Sequence, residues 1–120
     1  MVNTALRRGE VWWAELGDPV GSSPGYRRPV LIVQADAFNR SLIGTTVVVM
    51  LSSNLRLLDA PGNVLVSRRA SGLSKDSVAN VSQLLTLDRT LLTERTGKLP
   101  AAVMRRVEQG LGLVLQLEAS

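Results

Sequence analysis

The sequence predicts an α+β fold that is mainly β: a small, strongly curved antiparallel sheet or barrel with short helices and a C-terminal helix. Three observations lead there. Short β-forming runs fill the chain up to about residue 99, while the one sustained helical periodicity begins at Pro100. No long helical pattern separates the early runs, so the crossovers that a doubly wound parallel sheet needs are missing. And at 120 residues, 45% of them hydrophobic, the chain is long enough for one core and too short for two. Residues 1–120 are therefore expected to form a single domain.

Residues 9–16, Gly-Glu-Val-Trp-Trp-Ala-Glu-Leu, alternate and are rich in β formers, so they make a first strand. Side chains alternate along a strand, which sends Trp12 and Trp13 to opposite sides. Residues 17–25 hold three glycines and two prolines, a loop longer than a hairpin requires. It is either a functional loop or a disordered connector; the residues leave both open. The stretch Tyr26-Arg-Arg-Pro-Val-Leu-Ile-Val-Gln then enters a central strand over 29–34. Val30 to Val33 carry no polar position, as a strand buried on both faces requires. Proline can start such a strand but gives nothing to its ladder, so Pro29 holds Arg28 at a rigid strand entrance.

Residues 35–41 suit one helical turn, and 45–51 (Thr-Thr-Val-Val-Val-Met-Leu) are a second buried strand ending at Ser52-Ser-Asn54. A connection over 55–61 and a short strand over 62–66 follow. Residues 67–74, with Arg68, Arg69 and Gly72, form a basic, solvated loop. Weak strands are expected over 75–81 and 83–87, a helix over 88–95 capped by Asp88 or Thr90, and an edge strand over 96–99. In the final helix Val103, Val107, Leu111, Val114 and Leu115 recur at helical spacing, widened by Met104. Gly110 and Gly112 each weaken it by about 1 kcal/mol relative to alanine, and close packing is a reason to keep them.

Composition excludes much chemistry. There are no cysteines and no histidines, which removes disulfides, thiol nucleophiles, imidazole acid–base catalysis and the usual zinc ligands. No cofactor is expected, and any enzyme here must use Arg, Lys, Asp, Glu, Ser, Thr or Tyr. No apolar run approaches the ~20 residues of a membrane span. The N-terminal residues lack the apolar stretch of a signal peptide, which makes the cytoplasm the expected location. The net charge of +4 favours a polyanionic partner, and all basic residues but Lys75 and Lys98 are arginines, suited to bidentate phosphate recognition.

Four pieces in order, Arg8-Gly-Glu-Val-Trp-Trp-Ala-Glu-Leu16, the Gly/Ser/Pro loop, Arg27-Arg-Pro-Val-Leu-Ile-Val-Gln34 and Asp76-Ser-Val78, resemble the MazF/PemK toxins of toxin–antitoxin systems. The resemblance spans essentially the whole chain. It implies an SH3-like β-barrel acting as a homodimer, and a metal-independent endoribonuclease that cuts single-stranded RNA (mRNA, with tRNA and rRNA as further targets) at short sequences. The expected ends are a 2′,3′-cyclic phosphate and a 5′-hydroxyl.

The catalytic arginine of that family precedes its Arg-Pro-Val proline, which is Arg28 here. Its second catalytic residue, normally threonine, falls on Ser52 by an ungapped count. Serine keeps the hydroxyl but lacks the methyl that restricts the threonine rotamer. Arginine is normally always protonated, so Arg28 suits a bidentate phosphate clamp and proton donor better than a general base. The acceptor of the 2′-hydroxyl proton stays open. Ser22, Ser23, Gly25, Tyr26, Arg27, Asn54 and Gln83 are the expected RNA contacts, with Tyr26 stacking on a base or simply packing, and Arg27 touching phosphate or solvent. Asp76 is expected to fix a turn or an ion pair. An acidic MazE-like antitoxin with a disordered tail is the expected protein partner.

Two other readings compete. A CcdB-like gyrase-binding toxin has this fold without catalysis, but depends on a C-terminal tryptophan-containing tail that Leu117-Glu-Ala-Ser120 does not supply. A non-catalytic SH3-like module would bind nucleic acid by charge alone. Arg28 with a hydroxyl at Ser52 is the feature that discriminates.

Overall fold

The computed structural model describes residues 6–117. Six strands, β1 (Glu10–Glu15), β2 (Arg27–Ile32), β3 (Thr45–Ser52), β4 (Val64–Val66), β5 (Ser77–Asp88) and β6 (Leu92–Lys98), alternate with three helices, α1 (Asp36–Asn39), α2 (Arg68–Ser71) and α3 (Ala101–Val114). The strands form one antiparallel sheet in the order β4-β5-β3-β2-β1-β6, curled into a half-barrel. Its two edges, β4 and β6, are not paired with each other. α2 leaves the end of β4 and packs on β6, where Thr96 donates its hydroxyl to the Ser71 carbonyl at 2.7 Å. Side chains at Gly72 or Gly97 would collide with Thr96 or Ser71, so glycine is what lets the two elements meet.

The central strands bury both faces, as their unbroken apolar runs require. Leu31, Val49 and Leu51 face one cluster with Val11, Val81 and the α3 residues Met104 and Val107. Val30, Ile32, Val48 and Met50 face a second with Trp12, Ala14, Leu87 and Leu92. Trp13 packs against the first cluster, so the tandem tryptophans do divide between the two sides. α3 settles on β4 and β5 because Gly110 lies backbone to backbone against Gly62; Gly112 faces open space and has no such role.

Several boundaries differ from the sequence expectation. β2 begins at Arg27, where Arg27 and Arg28 pair with Glu15 and Ala14 of β1. Pro29 sits inside the strand, opposite Trp13, at a point where pairing with β3 has not begun, so its missing N–H interrupts no ladder on that side. The expected helix over 88–95 is a short 3₁₀ turn, Arg89–Leu91, followed directly by β6. Asp88 does cap it, accepting from the Thr90 backbone N–H at 2.9 Å, but the free edge of β1 offers Leu92 onward a ladder that local propensity did not reveal. The basic loop over 67–74 contains α2, capped by Ser67 and closed by left-handed Gly72. Asp76 accepts from the Arg68 backbone N–H at 2.8 Å and so fixes this turn. At the end of α3, Val114 and Leu115 are exposed, because the cluster they were expected to join ends at Leu111.

β5 runs unbroken through what looked like two segments, with one large irregularity. Met50 of β3 pairs with Asn80, yet the preceding Val49 pairs with Leu84, so Val81, Ser82 and Gln83 are extra residues in a bulge. This bulge faces the site described next.

Candidate active-site groove

β2 and β3 pair with Val30 opposite Met50, and an antiparallel register changes by equal and opposite steps. Two residues outward, Arg28 falls opposite Ser52. The residue reached by the ungapped count thus lies beside Arg28 on the neighbouring strand. Two cavities meet at this point. One, about 350 Å³, is lined by Trp13, Arg27, Arg28, Leu51, Ser52 and Lys75, among others. The second, about 330 Å³, is walled by the 17–25 loop (Pro19, Ser22, Ser23, Pro24, Gly25) and by Arg28, Ser52, Asn80 and Gln83. Arg28, Leu51 and Ser52 belong to both, and no carboxylate lines either one. Together they form a groove with Arg28 and Ser52 at its middle.

Local geometry leaves these two side chains free to act outward. Arg28 donates its Nε to the Gly25 carbonyl at 3.2 Å, and no carboxylate among the described residues pairs with it. Its terminal nitrogens remain available for a planar, two-point contact with phosphate. Ser52 accepts a hydrogen bond from the Asn54 backbone N–H at 3.1 Å, which holds the hydroxyl oxygen in place and leaves its proton to donate. That bond supplies the orientation which a threonine would draw from its β-branch.

The 17–25 loop is not a loose connector. Tyr26 and Gly17 close its base by backbone hydrogen bonding, and Gly25 is pressed so tightly against Pro19 that no side chain fits there. Gly25 thereby brings the loop onto Arg28. Of the other expected contacts, Ser22, Ser23, Gly25 and Gln83 line the second cavity and Arg27 the first. Arg27 is occupied: it pairs with Glu94 at 3.0 Å and Glu15 at 3.5 Å, and lies over the Trp13 ring at 4.2 Å. Tyr26 lines neither cavity; it is exposed, with a left-handed backbone at φ 63°. Asn54 lines neither as well, and its side chain caps the 3₁₀ turn Leu55–Asp59 by accepting from the Arg56 N–H.

Lys75, Asn80 and Trp13 line the groove without having been singled out from sequence. Lys75 had one available signal, a lysine in a chain whose cations are nearly all arginine. Asn80 had none, because its place opposite Met50, at the edge of the bulge, depends on pairing with β3. The carboxyls with shifted acidity lie outside the groove. Asp36 is held below its ordinary value chiefly by the Arg8 backbone N–H, and Asp88 by the Thr90 hydroxyl and N–H. Among the described residues no group of three or more His, Cys, Asp or Glu is placed to hold a metal ion, and no helix is long and apolar enough to cross a membrane.

A curled β half-barrel with an arginine and a hydroxyl opposed across a carboxylate-free groove defines a small protein suited to an anionic ligand such as a phosphodiester. The comparisons carry this further. Residues 7–115 match the family model of the PemK-like, MazF-like toxins of type II toxin–antitoxin systems. Over 112 residues the chain is 44% identical to Endoribonuclease MazF2 of Mycobacterium bovis, covering 93% of this chain and 98% of the relative. It is 32% identical to Endoribonuclease EndoA of Bacillus subtilis, covering 93% and 96%. A mycobacterial endoribonuclease solved in complex with its cognate antitoxin superposes with a TM-score of 0.78 at 26% identity, over 97% of this chain and 100% of that one. MazF of Deinococcus radiodurans shares the fold, with a TM-score of 0.77 at 24% identity over 98% and 99%. The chain belongs to the PemK/MazF toxin family.

Proposed function

We propose that the chain is an endoribonuclease toxin that cuts single-stranded RNA at Arg28 and Ser52, without metal, and is neutralised by a cognate antitoxin. The observation that carries the residue assignment is that these two side chains, alone with Leu51, belong to both halves of a carboxylate-free groove. The family match supports the activity class, and it does not favour the gyrase-binding or charge-only readings.

In the reaction the substrate supplies its own nucleophile. The 2′-oxygen attacks phosphorus, the bond from phosphorus to the 5′-oxygen breaks, and the 2′-hydroxyl proton leaves as the 5′-oxygen gains one. The products are a 2′,3′-cyclic phosphate and a 5′-hydroxyl. Negative charge builds on the non-bridging oxygens in between, and preorganised donors there lower the barrier most. Arg28, anchored through Nε, offers its terminal nitrogens to two of those oxygens and is the proposed proton donor to the leaving oxygen. Ser52 donates its hydroxyl to the phosphate. The 17–25 loop and Gln83 contact the adjoining nucleotide, and Lys75 extends the positive lobe. The carboxylate-free groove and net charge of +4 suit an acidic antitoxin segment lying along the same surface. A homodimer acting in the cytoplasm, where mRNA is, completes the proposal.

Purified protein incubated with a long single-stranded RNA in EDTA is expected to cut it at discrete sites and to leave ends that a polynucleotide kinase can phosphorylate. Arg28→Ala is expected not to cut. Intact RNA after incubation of the wild type with several unrelated sequences would overturn the proposal.

A further inference from the structure

The second lobe of the groove contains a polar chain whose direction is dictated by backbone. Asn63 accepts at Oδ1 from the Val81 N–H (3.0 Å), and a backbone N–H can only donate. The Asn63 amide nitrogen must therefore point the other way, and it does, donating to the Leu57 carbonyl (2.8 Å) and to Asn80 Oδ1 (3.2 Å). Asn80 Oδ1 also accepts from the Ser82 hydroxyl at 3.1 Å. With its oxygen committed, Asn80 presents its nitrogen to Gln83, donating to Oε1 at 3.1 Å. Two backbone groups that cannot be reversed thus orient three amides in series. What is left is the Gln83 amino group, which has no acceptor among the described residues.

We infer that Asn80 is a positioning residue that locks Gln83 as a hydrogen-bond donor, so that the nucleotide in this lobe is selected for a keto base, uracil or guanine, over cytosine or adenine. The inference rests on the endoribonuclease reading above and adds to it a rule of substrate choice. An amide free to rotate offers donor or acceptor equally and discriminates poorly. A locked donor bonds to O4 of uracil or O6 of guanine, and meets an amino group at the corresponding position of cytosine or adenine. Two facing donors leave both unsatisfied in a partly desolvated site, which is where discrimination arises. The lobe of about 330 Å³ has room for one nucleotide, and Arg28 and Ser52 line it too, so the selected base adjoins the scissile phosphate.

The test is cleavage of a randomised RNA pool with sequencing of the new ends, using wild type, Gln83→Ala, Gln83→Glu and Asn80→Asp. At one position beside the cut, the wild type should favour U or G by about tenfold, the worth of one good hydrogen bond. Gln83→Ala should relax that position to within about twofold and leave the other positions unchanged. Asn80→Asp can only accept, so it should turn the Gln83 amide over and reverse the preference towards A or C; Gln83→Glu should reverse it directly. A variant that folds by circular dichroism but does not cut is read from the bases enriched in RNA retained on immobilised protein. If Asn80→Asp does not fold, Gln83→Glu carries the reversal. The inference is overturned if Gln83→Ala relaxes no position, if the position it relaxes favours A or C, or if both acceptor variants keep the wild-type choice. A wild type that cuts no pool overturns the endoribonuclease reading instead, and the inference with it.

Discussion

Two polar regions of this small chain differ in one respect, and the difference separates scaffold from site. Around α1, Arg89 is buried and donates to the carbonyls of Asn39 (2.6 Å) and Phe38 (3.2 Å). The Asn39 side chain in turn donates to the Gln34 carbonyl and to Asp36, and accepts from Gln34 and from the Thr46 hydroxyl. Of the buried side-chain polar atoms there, Arg89 Nε alone has no partner. The groove is the opposite. Arg28 uses one nitrogen, Ser52 accepts one bond, and Gln83 keeps its amino group free. Residue type does not tell the regions apart, since each has an arginine, a hydroxyl and an amide. Unused hydrogen-bonding capacity facing a groove does.

The adjacent arginines make the same point at close range. Arg27 is held by Glu15, Glu94 and Trp13, and Arg28 by the Gly25 carbonyl alone. The strongest test of the contrast is Arg28→Ala, expected to lower the cleavage rate by at least about 100-fold, as loss of a transition-state donor does. Its thermal unfolding should stay within about 0.5 kcal/mol of wild type, as expected for an exposed side chain. Asn39→Ala should show the converse. Several buried partners lose their bonds, and stability in a urea titration should fall by about 2 kcal/mol, with cleavage per folded molecule unchanged.

Ser52→Ala is expected to slow cleavage by about tenfold, one hydrogen bond at the phosphate. Ser52→Thr should stay close to wild type, since the Asn54 N–H already orients the oxygen. Arg27→Ala should have a smaller effect than either alanine change in the groove, because exposed ion pairs contribute only about 0–1 kcal/mol. An Arg27→Ala loss equal to that of Arg28→Ala, measured on the same RNA, would break the comparison.

The smallest expected effect is a pH dependence of the scaffold. Asp36 has its folded pKa lowered below 3.8 by the Arg8 N–H, helped by Asn39. The sign follows from which form is favoured. Its contribution is complete above the unfolded-state value and is lost as pH falls through the lower folded-state value. Asp36→Asn should therefore lose stability near neutral pH and approach wild type in strong acid, as urea titrations at the two extremes would show.

The strands that carry the groove were legible in sequence for a physical reason, since Val30 to Val33 and Thr45 to Leu51 are unbroken β runs. Their register, Val30 opposite Met50, which sets Ser52 opposite Arg28, appears only when the two strands pair. The ion pair that occupies Arg27 was not legible in sequence, because Glu94 lies 67 residues away on a strand whose local pattern suits a helix. The exposure of Tyr26 and the capping duty of Asn54 depend on chain direction at single residues, a left-handed φ in one case and a 3₁₀ turn in the other.

Sequence by itself determined the fold class and the exclusion of imidazole and thiol chemistry. These follow from composition and from apolar runs that act over a few residues, while Arg28 and Ser52 were placed through the resemblance of the Arg27-Arg-Pro-Val stretch to a family motif. Tertiary structure alone decided which polar groups are free. Freedom is a property of partners, and here the partners are distant: Gly25 for Arg28, Glu94 for Arg27, and Asn63 through Asn80 for Gln83. The bulge that aims Gln83 is three β5 residues, Val81 to Gln83, lying between the partners of consecutive β3 residues, a mismatch visible only once the two strands lie side by side.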